Sequence, residues 1–231
     1  MRNLCVSSRS RCVRTTNANS AGSYFFRSKR AVVKRFASEI SNEDVAALPA
    51  ARFDGRIVVV NDGRAMAEAC RYLSKQKMLG FDTETRPSFT AGCVNRMALL
   101  QLSTYERCYL IRLCKFTRLS DRLADILADE NILKIGAAVS GDITGLKRIR
   151  KFEPHGFVDL QNEVKKFGIE NFSLRKMSAI VLGERVSKAQ RLSNWEAKSL
   201  TEQQQMYAAT DAWVCLKIYD ELLNAASVVA I

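Results

Sequence analysis

Short apolar or β-branched runs alternate with stretches of helical period through most of this chain, and that alternation restricts the fold more than any other feature. Residues 56–60 (Arg-Ile-Val-Val-Val), 78–84, 97–103, 108–113 and 132–139 have the composition and length of strands. After the first of them, Asp62 stands ahead of Met66, Cys70 and Leu73, which share one face of a helix that Asp62 can cap. A helix around residues 119–127 and another with Ile143, Leu146 and Ile149 on its buried side continue the pattern. The polar segment 104–107 between two strand-like runs predicts a hairpin, so the early sheet is expected to be antiparallel. Pro87 should end the second strand, because proline supplies no ladder donor. The remainder reads as largely helical, and Thr201 with Gln204 forms a capping box that opens a long final helix through Tyr207, Asp211 and Leu222. Ser41, followed by Glu43 and Asp44, predicts a short capped helix ending near Leu48-Pro49. The reading is an α/β chain without internal repeats or a second domain.

Charge divides the chain differently. Of the 36 Lys and Arg, nine fall in residues 1–38, which contain no acid; the rest of the chain holds 27 basic against 24 acidic residues, a net of +3 rather than +12. The stretch 1–38 is rich in Arg, Ser and Asn and lacks a sustained apolar run, so it is expected to be a disordered basic extension. Residues 39–55 read as a short helix and linker, and 56–231 as the folded domain. Three roles stay open for the extension: an organelle transit peptide, a flexible arm that holds phosphates, or a dispensable leader. Seven Cys with no Cys-x-x-Cys fit a reducing compartment better than a disulfide framework. That points to the cytoplasm, or to an organelle if 1–38 is a transit peptide. No apolar run reaches the roughly 20 residues that a spanning helix needs, so no membrane association is expected. A single His, His155, set in Glu-Pro-His-Gly, excludes any mechanism that needs two imidazoles.

The chemistry must then rest on carboxylates. Asp82 and Glu84 are two apart on an expected strand and so share a face of the sheet. Two carboxylates side by side repel unless a cation neutralises them, and a hard divalent metal is the economical explanation. Asp142 follows a strand where a helix begins, and Tyr207 and Asp211 lie at i and i+4 on the final helix, sharing a face. Each match alone has an ordinary reading: a solvated strand end, a helix N-cap, a core tyrosine beside a surface aspartate. Their conjunction is what carries information.

The conjunction resembles a known family, the 3′-to-5′ exonucleases of the DEDD superfamily, tyrosine branch, which include RNase D and the Werner-type exonuclease domain. Gly80-Phe-Asp-Thr-Glu-Thr-Arg-Pro-Ser-Phe89, Lys134-Ile-Gly-Ala-Ala-Val-Ser-Gly-Asp-Ile-Thr-Gly-Leu146 and Tyr207-Ala-Ala-Thr-Asp-Ala-Trp213 resemble its three motifs in order and spacing, over about residues 56–223. The resemblance implies an RNase H-like fold, a mixed central sheet flanked by helices. It also implies catalytic residues Asp82, Glu84, Asp142, Tyr207 and Asp211, with the four acids holding two divalent cations, Mg²⁺ or Mn²⁺. In that scheme Asp82 touches both ions, Glu84 and Asp211 hold the water-activating one, Asp142 holds the other, and Tyr207 orients the attacking water.

The expected partner is nucleic acid with a free 3′ end, DNA or RNA. Residues 165–191 carry seven basic and two acidic side chains, of which Lys188 and Arg191 are the candidate phosphate contacts; Lys147-Arg-Ile-Arg-Lys151 is a second basic cluster. Phe89 is a candidate for stacking on the terminal base, and Trp195 reads as a structural anchor. Only eight residues follow Leu223, too few for an appended nucleic-acid-binding domain, so the expectation is that grip is modest or lent by a protein partner that sets the substrate. If the basic extension neutralises phosphates, deleting residues 1–38 should flatten the log–log salt dependence of binding by about 0.7 per lost single-strand contact. A salt titration with an unchanged slope would leave the leader or transit reading.

Overall fold

The computed structural model describes residues 36–87 and 95–227. Most of the basic extension and Phe89 lie outside them. The described residues form part of one compact unit. Its ordered start reaches into the expected extension, since Glu170 N–H donates to Ser38 O and Phe36 packs edge-on against Phe167.

Helix α1 (Asn42–Ala47) is capped by Ser41, whose side chain accepts from Asp44 N–H. Strand β1 (Arg56–Val60) leads to α2 (Gly63–Leu73), where the Asp62 carboxylate accepts from the backbone of Arg64 and Ala65 and Met66, Cys70 and Leu73 are buried. Strands β2 (Met78–Thr85), β3 (Met97–Ser103) and β4 (Arg107–Ile111) follow, then a 3₁₀ turn at Leu113–Lys115 and α3 (Asp121–Ala128). Next come β5 (Leu133–Gly136), α4 (Val139–Ile149), β6 (Phe157–Asp159), α5 (Leu160–Lys165), α6 (Leu174–Leu182) and α7 (Glu202–Ser227). The capping box opens α7 as its sequence demands: Gln204 N–H donates to Thr201 Oγ1 at 3.2 Å, and Thr201 N–H to Gln204 Oε1 at 2.9 Å.

The six strands make one sheet in the order β1-β4-β3-β2-β5-β6. The β2–β3–β4 meander is antiparallel, whereas β5 and β6 add in parallel beside β2. Three details depart from the sequence reading. β1 pairs in parallel with β4, so the early sheet is not wholly antiparallel: α2 carries the chain back before β2 and leaves β1 at the far edge. β5 stops at Gly136, because Ala138 takes a left-handed conformation and starts α4. β6 had no legible pattern; it is three residues long and follows Gly156, itself at φ +67°.

Side chains alternate across the sheet. Leu79, Phe81, Leu100 and Leu102 pack with α2, α3 and α4 on one face. Ile135, Leu99 and Leu110 point to the other, where α5, α6 and α7 lie. Two buried cations staple loops without a carboxylate. Lys134 Nζ donates to the carbonyls of Ile126 (3.2 Å) and Asp129 (2.7 Å), and burial lowers its pKa to about 8. Arg112 donates to the carbonyls of Trp195, Ala197 and Lys198 and so holds the segment before α7. Cys70, Cys108 and Cys215 are buried thiols, and among the described residues no helix is long and apolar enough to cross a membrane.

The central contact is that of α7 on β2. A Cβ at Gly80 would lie 1.9 Å from the Ala212 carbonyl oxygen, so only glycine lets the helix backbone rest on the strand. Gly80→Ala should therefore destabilise the protein by about 3 kcal/mol or more, with the helix forced off the strand; a denaturant midpoint matching wild type would refute this contact.

Candidate active site

Three elements bring the acids together. Asp82 and Glu84 leave the last turns of the β2 pleat on the face that Gly80 gives to α7, and Asp211 hangs from α7 one residue before Ala212. One oxygen from each of Asp82, Glu84 and Asp211 lies within 4.8 Å of the other two. Asp142 arrives on the first turn of α4, from the opposite face of the sheet, and its carboxylate accepts a hydrogen bond from Thr83 Oγ1. Thr83 points there because it alternates with the two acids along the strand. It was not picked out from the sequence, where its only signal was its place between them.

The electrostatics are those of a cluster lacking positive charge. Burial, then Asp142, raises the Asp82 pKa from 3.8 to about 7. Burial, then Asp82, Asp211 and Asp142, raises that of Glu84 from 4.5 to about 9. Asp211 is pushed well up by burial and by Asp82, and Asp142 is raised chiefly by burial. Tyr207 hydrogen-bonds Asp211; burial and that neighbouring acid move its hydroxyl far above the usual phenol range, so it is protonated at neutral pH. Asp211 Oδ1 is buried with no protein partner. An all-oxygen donor set with a free buried lone pair and mutually repelling charges is what a hard divalent cation requires.

Around the acids, Trp195 is fully buried and packs against the Tyr207 ring at 6.0 Å between centroids, which makes it the anchor expected of it. Arg86, just beyond β2, reaches Glu196 at 3.5 Å and ties the end of the acid strand to the same segment. A cleft of about 590 Å³ opens beside Tyr207 and Asp211, with Ser187, Ala189 and Gln190 on its wall. Lys188 and Arg191 are exposed and lie outside that lining. A second cleft, of about 570 Å³, lies between Thr85, Arg96 and the α4 residues Ser140, Gly141 and Arg148. Arg96 was not among the sequence candidates, since a lone arginine between strands has no pattern; Arg148 belongs to the second basic cluster.

The profile of the 3′-5′ exonuclease family matches residues 57–226. The chain belongs to that family. It is 34% identical over 191 residues to the bifunctional 3′-5′ exonuclease/ATP-dependent helicase WRN of Mus musculus, a match covering 77% of this chain and 13% of that protein. It is 36% identical over 150 residues to exonuclease 3′-5′ domain-containing protein 2 of Drosophila melanogaster, covering 63% of this chain and 25% of that one. The chain thus spans a minor part of the curated relatives it matches. Among solved structures, the Nibbler EXO domain of Aedes aegypti superposes with TM-score 0.67 at 26% identity, covering 75% of this chain and 90% of that domain. Escherichia coli RNase D superposes with TM-score 0.67 at 25% identity, covering 74% and 45%. The exonuclease fold here is therefore RNase H-like, a mixed sheet flanked by helices, as the motifs implied.

The raised carboxyl pKa values have a consequence for stability without metal. A carboxyl whose pKa is higher folded than unfolded binds its proton more tightly in the native state, so its contribution is full below about pH 4 and is lost as pH rises through the folded value. In excess chelator the protein should lose thermal stability steadily from about pH 4 to about pH 9, the range spanned by Asp82 and Glu84. Asp82→Asn should shrink this loss, and divalent metal should reverse it; melting curves independent of pH in chelator would contradict the clustering.

Proposed function

We propose that this chain is a two-metal-dependent 3′-to-5′ exonuclease that hydrolyses phosphodiester bonds from the free 3′ end of DNA or RNA and releases nucleoside monophosphates. The observation that carries the reading is the convergence of Asp82, Glu84 and Asp211, with Asp142 held beside them on Thr83. Asp82, Glu84 and Asp211 would hold one ion and Asp142, with Asp82, the other. Oxygen donors alone favour Mg²⁺ or Mn²⁺ over zinc, which takes His or Cys. Such ions lower the pKa of bound water and neutralise charge on the leaving oxygen.

The side chains supply position and proton control. Tyr207, protonated and bonded to Asp211, orients the attacking water and is too weak an acid to act as the base. The cleft beside Tyr207 and Asp211 would take the strand end, and Arg96 and Arg148 in the second cleft, near Thr85, are cations of the kind that bind phosphates. Lys188 and Arg191 stand as outer phosphate contacts. The relatives' greater length supports a second reading of the biology, in which further domains or a partner set the substrate while this domain cuts.

Excess chelator should abolish digestion and Mg²⁺ or Mn²⁺ should restore it. Asp82→Ala should fall to background, while Tyr207→Phe should cost on the order of 100-fold. Labelled linear and circular DNA and RNA test direction and end dependence together: cleavage of circles, or a rate indifferent to chelator, would overturn the proposal.

A further inference from the structure

Among the described residues, Ala138 is the only non-glycine with positive φ, at φ 59°, ψ 41°. For an L-residue that conformation is disfavoured and persists only where its surroundings impose it. Ala138 occupies the N-cap of α4, has no side chain with which to cap it, and precedes Asp142 by one helical turn. The turn has no slack on its inner side: a Cβ on Gly136 would lie 2.7 Å from Val139 Cγ1 and 2.8 Å from the Phe81 carbonyl oxygen, next to Asp82.

One side chain grips this turn. Asp159 Oδ1 accepts the Ala138 N–H at 3.0 Å and the Gln161 N–H, also at 3.0 Å. Asp159 is itself fixed, as the last residue of β6, opposite Gly136 in the parallel register. A single carboxylate therefore ties the start of α4 to the sheet and caps α5. Nothing in the proposed chemistry uses Asp159.

We propose that Asp159 is a positioning residue of the exonuclease: by holding Ala138 in the left-handed turn it sets the angle at which α4 delivers Asp142 to the metal site. The inference rests on the assignment of Asp142 as a metal ligand. Without the Asp159 acceptor, Ala138 relaxes toward ordinary φ, the first turn of α4 shifts, and Asp142 no longer meets Thr83 and Asp82. A glycine at 138 would keep the turn without help, because it pays no penalty there.

The experiment compares wild type with Asp159→Ala, Asp159→Asn, Ala138→Gly, the double variant Asp159→Ala/Ala138→Gly, and Asp142→Ala. Each is measured for metal-free melting temperature, Mn²⁺ affinity by calorimetry, and digestion of a 3′-ended oligonucleotide. Asp159→Ala should stay folded but lose about 10- to 100-fold in Mn²⁺ affinity, as changes just behind metal ligands do, and digestion should fall with it. Asp159→Asn, whose amide oxygen still accepts, should remain near wild type. The double variant should recover most of both losses even though its α5 cap is still missing. The proposal is overturned if Asp159→Ala binds Mn²⁺ and digests like wild type, or if the double variant is no better than Asp159→Ala. It is equally overturned if Asp159→Asn is as impaired as Asp159→Ala, which would assign the effect to charge. Asp142→Ala separates the two levels: wild-type affinity and digestion there would sink the ligand assignment and this inference with it, whereas a defective Asp142→Ala beside a normal Asp159→Ala would sink the inference alone.

Discussion

Gly80 and Ala212 touch backbone to backbone, and the rest of the site depends on that contact. A side chain at position 80 would push α7 off the sheet, and Asp211, next to Ala212, would move with it. The absence of one Cβ is thus what lets a residue near the end of the chain join two carboxylates on β2. The same closeness buries Val214, Cys215 and Ile218 of α7 against the sheet and its neighbouring helices, so the geometry of the acids and the stability of this half of the core share a cause.

The cost of the arrangement is electrostatic. Asp82, Glu84 and Asp211 are crowded where burial disfavours charge; Asp142 adds to the rise at Asp82, and Asp82 to the rise at Glu84 and Asp211. Elsewhere the fold spends buried cations on backbone carbonyls: Lys134 on the end of α3, Arg112 on the segment leading to Trp195. Neither neutralises the acids. A cluster left with its repulsion intact, in a fold that places buried cations where they staple loops, has the charge and the donors that an external cation would satisfy.

Local chemistry made much of this legible in the sequence. Asp62 and the Thr201–Gln204 pair announced their helices because capping is decided within four residues. The strand carrying Asp82 and Glu84 was legible because apolar residues precede it and Pro87 follows. What stayed hidden was governed by distant partners. The parallel pairing of β1 with β4 joins segments about fifty residues apart, and β6 is too short to show a period. Ala138 gave no hint of positive φ, since its conformation is imposed by Asp159 across the sheet edge, where a sequence pattern would favour glycine.

The sequence by itself singled out the candidate groups through their resemblance to a known family: four acids and a tyrosine, spaced on a strand, a helix start and a long helix, with too few imidazoles for a two-histidine route. It also determined the alternation of strands and helices, because hydrophobic period and capping are properties of neighbours. Only the tertiary structure decided that Asp82, Glu84 and Asp211 lie within 4.8 Å of one another while Asp142 stands across the strand on Thr83. Only it opened one cleft beside Asp211 and another beside Thr85. Those distances depend on how closely a helix rests on a strand and how sharply a turn bends, and such quantities are fixed by contacts between residues far apart in the chain.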